Sequence, residues 1–359
     1  MQPSNPQIAP HKGRGATFNP PNRFEPLELE IDPEALEDGE LPGPKTQYFI
    51  DATRDILSKN DSPDIPFTYG LNPYRGCEHG CVYCYARPTH EYLGFSAGLD
   101  FESKIIVKPH APELLAEAFR SARWQPQVIS LSGNTDCYQP AERALKLTRR
   151  CLEVFLLHRN PVGMITKSSL ITRDIDILKE LAAMNLVSTC VSITTLRSDL
   201  ASKMEPRASV PEKRLEAIAK LAAAGVPVGV NVAPIIPGLN DHEIPAIIRA
   251  AAGAGATHAG HILMRLPHSV KDLFCAWVRQ HFPDRATKVI HAIMDTRSGQ
   301  LSDPRYGSRM SGEGNRAEAI HRLHRVACEK YGLNKNEWPH ISTAHFRRHA
   351  IQGQGELFD

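Results

Sequence analysis

PEKRLEAIAKLAAAGVPVGVNVAPII, residues 211–236, carries two structural periods in succession. Leu215, Ile218, Leu221 and Ala222 recur at three- and four-residue steps, the spacing of one helix face. Pro211 opens that stretch and Gly225 closes it, the residues a helix favours at its start and just past its end. Then the period changes. Val226, Val228, Val230 and Val232 lead an almost unbroken apolar run to Ile236, as in a strand covered on both faces. A helix feeding directly into a buried strand is half of a βαβ unit, and such units build parallel sheets.

The pairing recurs on both sides. FTYGL (67–71), VISLSG (128–133), VGMIT (162–166), LVSTCVSIT (186–194) and HAGHILMRL (258–266) read as short buried strands. Helical periodicity fills the gaps in APELLAEAFRSA, ERALKLTRRCLEVFLL, TRDIDILKELAAM, DHEIPAIIRAAAGAG and SVKDLFCAWVRQHF. Six strands with intervening helices define an α/β protein, either an open doubly wound sheet or an incomplete barrel. In both, ligands bind at the carboxyl ends of the strands.

This rhythm divides the 359 residues into three parts. Residues 1–60 read as an irregular N-terminal arm rich in Pro, Asn, Asp and Glu. Its alternative reading is an arm lying across the folded domain, with RFEPLELEI in an apolar groove. Residues 61–295 form the core, and 296–359 a short, mainly helical C-terminal extension.

With 42% hydrophobic and 23% charged residues, the composition is that of a globular protein. A net charge of +2 excludes a uniformly basic nucleic-acid glove, so any basic surface is local. No stretch approaches the ~18–20 apolar residues of a membrane span, and the N-terminus lacks a secretory h-region. The expected location is the cytoplasm, where close cysteines bind metal more often than they form disulfides.

RGCEHGCVYCYAR (75–87) follows the first strand and sets Cys77, Cys81 and Cys84 in a C-x3-C-x2-C array. The odd count and the compartment disfavour a disulfide. A structural zinc site needs a fourth ligand, for which His79 or His90 is available, but no second half-site follows downstream. An iron–sulfur cluster is the third reading; three thiolates would leave one iron of a [4Fe–4S] cube without a protein ligand. The other cysteines, 137, 151, 190, 275 and 328, are scattered in apolar contexts suited to packing.

With Tyr83 just before the last cysteine, this loop resembles that of the radical S-adenosylmethionine (SAM) superfamily. The resemblance covers roughly residues 65–295. It implies a partial (β/α)6 TIM-type barrel, a [4Fe–4S] cluster on Cys77, Cys81 and Cys84, and SAM bound at the open iron. One electron from the cluster would then cleave SAM to a 5′-deoxyadenosyl radical. A small electron-donor protein such as a flavodoxin or ferredoxin is the implied partner.

Residues at the strand tips become candidate SAM ligands on the same grounds. After the second strand stand Ser132, Asn134 and Asp136, in place of the family's common Gly-Gly-Glu. Lys167 follows the third strand as a carboxylate partner, and Ser192 and Thr194 follow the fourth as ribose partners. Glu205 and Arg207 are expected to form a charged pair at the rim. Asn231 and Ile236 belong to NVAPIIPGLND, which resembles the family's adenine-side segment. Each has a plainer role open to it: Asn134 and Asp136 as turn caps, Lys167 as a solvated lysine, PGLND as a turn.

NPYRGCEHGCVYCYAR, SGNTDCYQPAE, ITKSSLITRD and MEPRAS together resemble the branch related to spore photoproduct lyase. That lyase uses a cysteine near the second strand end as a hydrogen donor. The matching position here is Gly133, with Cys137 four residues on as either a replacement donor or a packing residue. For nucleic acid, residues 297–359 offer ten Lys/Arg against seven Asp/Glu, interleaved with Tyr306, Trp338 and Phe346. A phosphate-bearing substrate, a peptide or small metabolite, and a non-catalytic metal-binding or redox-sensing module are the three functions to separate.

Overall fold

The computed structural model describes residues 11–24, 44–338 and 340–349; the acidic run EPLELEIDPEALEDGELP lies outside them. The strands are β1 (Gln47–Ile50), β2 (Leu57–Lys59), β3 (Tyr69–Leu71), β4 (Tyr74–Arg75) and β5 (Lys104–Val107), then β6 (Ile129–Leu131), β7 (Val162–Thr166), β8 (Val187–Ser192), β9 (Val228–Ile235) and β10 (His258–Leu263). The helices are α1 (Leu99–Ser103), α2 (Ala111–Arg120), α3 (Glu142–Leu145), α4 (Leu147–His158), α5 (Ile175–Ala183) and α6 (Ser198–Met204). They continue with α7 (Pro211–Ala223), α8 (Ile244–Gly253), α9 (Val270–His281), α10 (Ala286–Met294), α11 (Ser308–Ser311) and α12 (Asn315–Tyr331).

The main sheet has the order β10-β9-β8-β7-β6-β3-β2. Its strands β3 and β6 to β10 are all parallel, each beside the next in chain order. They coincide with the six apolar runs read from sequence. β2 adds an antiparallel edge, and β10 ends the other side without pairing to β2 or β3, so the sheet is not closed. A small sheet, β1-β5-β4, stands beside it. Two strands thus come from the segment read as an irregular arm: β1 finds its hydrogen bonds on β5, far along the chain, and β2 on β3, the strand that follows it.

One expected helix is broken. ERALKLTRRCLEVFLL divides into α3 and α4 at Lys146, whose φ of 52° is left-handed. The break returns the Glu142 carboxylate to the start of α4, where it accepts the Thr148 N–H at 3.0 Å. That cap replaces a donor partner the helix start lacks. The core forms between the sheet and its helices, with Leu131, Val191 and Val230 packed in one cluster with Phe155, Leu181 and Ile218, all fully buried. A second cluster at the carboxyl ends includes Cys81, Val82 and Tyr83 with Met204, Phe274 and Trp277.

Both flanking segments are docked. Residues 11–24 cross the cysteine loop so closely that a Cβ on Gly15 would lie 1.7 Å from the Gly80 carbonyl. The C-terminal segment spans the amino ends of the strands: Trp338 donates to Ser188 Oγ at 2.6 Å, and Ser342 N–H to Asn185 O at 2.8 Å. Gly229 makes room for that tryptophan, since a Cβ there would meet the indole at 2.4 Å. Gly229→Ala should therefore destabilise the protein by about 1–3 kcal/mol in urea unfolding. In a Trp338→Ala background the same substitution should cost much less, and equal costs in the two backgrounds would contradict the packing described.

Candidate active site

The loop after β3 is shaped by two left-handed glycines, Gly76 (φ 78°) and Gly80 (φ 67°). A Cβ on Gly80 would sit 2.8 Å from Glu102 Oε2, so the position tolerates neither the conformation nor the bulk of another residue. The turns are pinned at both ends of the array: Cys77 N–H donates to Phe101 O at 2.9 Å, and Val82 N–H to Met204 O at 3.0 Å. Behind them the buried Arg87 donates to the carbonyls of Cys81, Ala97 and Gly98 and pairs with Glu102. Glu102 in turn accepts the Gly15 and Ala16 N–H groups of the crossing arm.

Cys77, Cys81 and Cys84 line one cleft that opens to solvent and holds a cavity of about 200 Å³. Burial pushes all three thiols up: Cys81 to about 12 with Glu205 adding to it, Cys77 with Asp136 adding to it, and Cys84 against the opposing charge of Arg87. Such thiols need a cationic metal centre to be held as thiolates. Among the described residues, no three His, Cys, Asp or Glu side chains converge on a single ion. A mononuclear zinc would require that convergence, whereas the thiolates of a multi-iron cluster each hold a different iron. His90, one of the two spare ligands considered, gives Nε2 to the Lys104 carbonyl and does not line the cleft. The donor set fits a cluster.

The strand tips converge opposite the thiols. Ser132, Asn134, Asp136, Lys167, Ser192 and Asn231 all line the cleft, as does Tyr83. Asn72 builds the turn after β6, its Oδ1 accepting the N–H groups of Gly133 and Asn134 at 3.0 Å. Asp136 binds the turn to β7, accepting from Thr166 Oγ1 and Lys167 N–H at 2.7 Å. Burial works against its charge, but His79 and these hydrogen bonds hold it down at about 2. It also accepts the Tyr138 N–H, so the capping role and the site role coexist. Lys167 Nζ lies 5.8 Å over the Tyr83 ring.

Four candidates fall outside the cleft lining. Thr194 is buried and holds the Tyr83 hydroxyl at 3.3 Å, supporting the wall from behind. Ile236 and Cys137 are fully buried core residues. Arg207 pairs with Glu78 at 3.0 Å, which corrects the expected Glu205–Arg207 pair. Glu205 turns inward at the end of α6 and pairs with the buried Arg214 at 2.9 Å. Sequence reasoning missed Tyr85, Ile262 and Arg265, which also line the cleft. Tyr85 directly follows Cys84, and Arg265 breaks the apolar run after β10; those were their only signals.

The basic residues of the C-terminal segment are largely engaged within the chain. Arg305, Arg309, Arg316 and Arg325 pair with carboxylates. Arg297, Arg347 and Arg348 donate to backbone carbonyls. Phe346 packs on the core and Trp338 on Gly229, leaving Tyr306 well exposed beneath Arg309.

The family model described as "Radical SAM superfamily" matches residues 71–251, which hold the cysteine loop and the tips of β6 to β9. The chain belongs to the radical SAM superfamily. As such it is a radical SAM enzyme, and its cofactors are a [4Fe–4S] cluster and SAM. Uncharacterized proteins of Mycobacterium tuberculosis and Mycobacterium bovis are 32% identical over 271 residues, 70% of this chain and 80% of theirs. One from Methanocaldococcus jannaschii is 31% identical over 175 residues, 49% of this chain and 63% of that one. Among solved structures, a variant of spore photoproduct lyase superposes with a TM-score of 0.56 at 19% identity over 80% of both chains. A lyase variant with bound AdoMet and dinucleoside spore photoproduct gives 0.55 at 16% identity, also over 80% of each. At such identities the likeness is one of fold. Among the described residues no helix is long and apolar enough to cross a membrane.

Proposed function

We propose that this radical SAM enzyme binds its cluster through Cys77, Cys81 and Cys84 and cleaves SAM reductively in the adjoining cleft, acting on a nucleic acid or another phosphate-bearing substrate. The observation that carries this reading is the convergence on one cavity of three thiols in a glycine-shaped loop, two buried and Cys84 half-buried, with polar residues of successive parallel strands. When bound, the cluster and SAM supply one-electron cleavage of the sulfonium to methionine and a 5′-deoxyadenosyl radical.

The chain's own groups prepare the place. Ser132, Asn134 and Asp136 offer oxygens to the amino group of SAM, and Lys167 offers a cation to its carboxylate. Ser192 and Asn231 stand farther round the rim for the ribose and adenine. Thr194 positions Tyr83, while Arg207 acts through Glu78 on the backbone of the loop. Apolar walls, Ile165, Pro234 and Leu263 among them, keep water from the reacting groups.

The sheet is proposed to curve as a partial (β/α)6 barrel. Strand order that follows chain order without reversal, joined by crossovers of one hand, puts the helices on one side and the free face inside. A small redox protein is the proposed electron donor. The described cysteines are all free thiols, in keeping with the cytoplasm. Gly133 at the tip of β6 and a core-buried Cys137 argue against the hydrogen-return step of the similar lyase, so a different lesion or molecule is the proposed substrate.

Anaerobic reconstitution with iron and sulfide followed by reduction should convert SAM to 5′-deoxyadenosine and methionine, measured by chromatography. A protein that loads iron yet leaves SAM intact would end the catalytic reading and favour the redox-sensing module. Zinc in place of iron after anaerobic purification would do the same.

A further inference from the structure

Buried and half-buried arginines in this chain meet oxygen acceptors. The buried Arg87 has Glu102, the buried Arg214 has Glu205, and the half-buried Arg309 has Asp64. Arg297, without a paired carboxylate, donates to the carbonyls of Ser308, Leu263 and Met264. Arg265 departs from this pattern. It lies just past the carboxyl end of β10, half-buried between the buried Met264 and Leu266, and lines the cleft. Its guanidinium donates to the Met310 thioether at 3.2 Å and stands 5.6 Å from the centre of the Tyr85 ring. Neither contact supplies an oxygen, and no carboxylate pairs with it among the described residues.

A guanidinium presents five N–H donors in a planar fork. A weak sulfur acceptor and an aromatic face leave most of that fork unmatched, in surroundings made apolar by Ile262 and Leu263. Burial first and then Arg309 lower the Arg265 pKa, while Tyr85 and Asp64, the carboxylate already paired with Arg309, work the other way. A half-buried guanidinium that the chain leaves without an oxygen acceptor stands free to take a ligand of the opposite sign. The planar fork matches a bidentate oxyanion.

We propose that Arg265 is a specificity residue that grips an oxyanion, phosphate or carboxylate, carried by the substrate. This rests on the cleft being the place where SAM is cleaved. Lys167, on the tip of β7, remains the partner for the carboxylate of SAM itself.

The test uses the anaerobically reconstituted full-length protein with saturating SAM, so that the cofactor's carboxylate already has its place. Calorimetry compares a thymidine dinucleoside monophosphate with its uncharged methylphosphonate analogue, and glutarate with glutaramide. At least one charged probe should bind roughly tenfold more tightly than its neutral partner. Arg265→Met should erase the preference, and Arg265→Lys should keep part of it. Arg265→Gln serves if the methionine variant does not fold. The pair that shows the preference tells phosphate from carboxylate.

Equal affinities in the wild-type protein, or no binding of either pair, would overturn the proposal. So would a preference unchanged in the variants, or one that disappears once SAM is present and so assigns Arg265 to the cofactor. The outcomes also separate the two readings. SAM cleavage without charge preference removes Arg265 alone, while charge preference without SAM cleavage removes the catalytic reading and leaves an anion site.

Discussion

Cys81→Ala protein, reconstituted without oxygen, is expected to return iron and sulfide contents near background and to leave SAM uncleaved. Cys77→Ala and Cys84→Ala should behave alike. Each thiolate is read as the attachment of a different iron, so the loss of one cannot be made good by the other two. His90 is tied to the Lys104 carbonyl, and His79, which lines the cleft, turns its Nδ1 to Asp136 at 3.4 Å. The fold should survive, because each change removes one sulfur at the cleft wall and the loop backbone is held by Phe101, Met204 and Arg87. Cys190→Ala and Cys328→Ala serve as controls that remove a thiol elsewhere and should leave the iron content unchanged. A single-alanine variant of the loop that still loads a full cluster would show that another group completes the site.

The periodic parts of this molecule were legible in its sequence. All six parallel strands lie within the apolar runs named for them, because strands largely covered on both faces keep few polar positions to obscure the run. What escaped was set by pairing partners rather than by period. β1 and β2 are short and largely exposed; β1 depends on β5, far along the chain, and β2 on the nearby β3, and neither carries a buried-strand pattern. At Lys146 a continuous helical period breaks and α4 gains a cap from the Glu142 carboxylate, a trade visible only once Thr148 and Glu142 are seen together.

The same distinction holds at the site. Cys77, Cys81, Cys84 and Tyr83 were legible as a spacing, Ser132, Asp136 and Lys167 as polar residues at or after strand ends, and Asn231 as the polar residue within the apolar run of β9. Glu205 was read against its sequence neighbour Arg207, yet it pairs with Arg214, one helix away. Proximity in sequence proposes an ion pair, but the direction of the side chain out of a helix end decides it. Arg265 was unreadable because its distinction is an absent partner, which only packing reveals.

Glu102→Ala should be the most destabilising substitution away from the cysteines. Glu102 is fully buried, pairs with the equally buried Arg87, and accepts the N–H groups of Gly15 and Ala16 at 3.0 and 2.7 Å. Its removal leaves a guanidinium uncompensated in the interior and two amides unmatched, at a cost of about 3–5 kcal/mol for the broken pair alone. Urea unfolding of apo protein would measure that loss independently of iron. Because Arg87 also holds the Cys81 carbonyl, iron loading should fall with stability. Arg87→Met combined with Glu102→Gln removes both charges while keeping bulk, and should recover a large share of the loss, since the penalty lies in the orphaned charge rather than in the missing attraction. If the single and double variants are equally unstable, the charge pair is not what anchors the arm to the loop. Shape would then decide it, above all the close passage of Gly15 over Gly80.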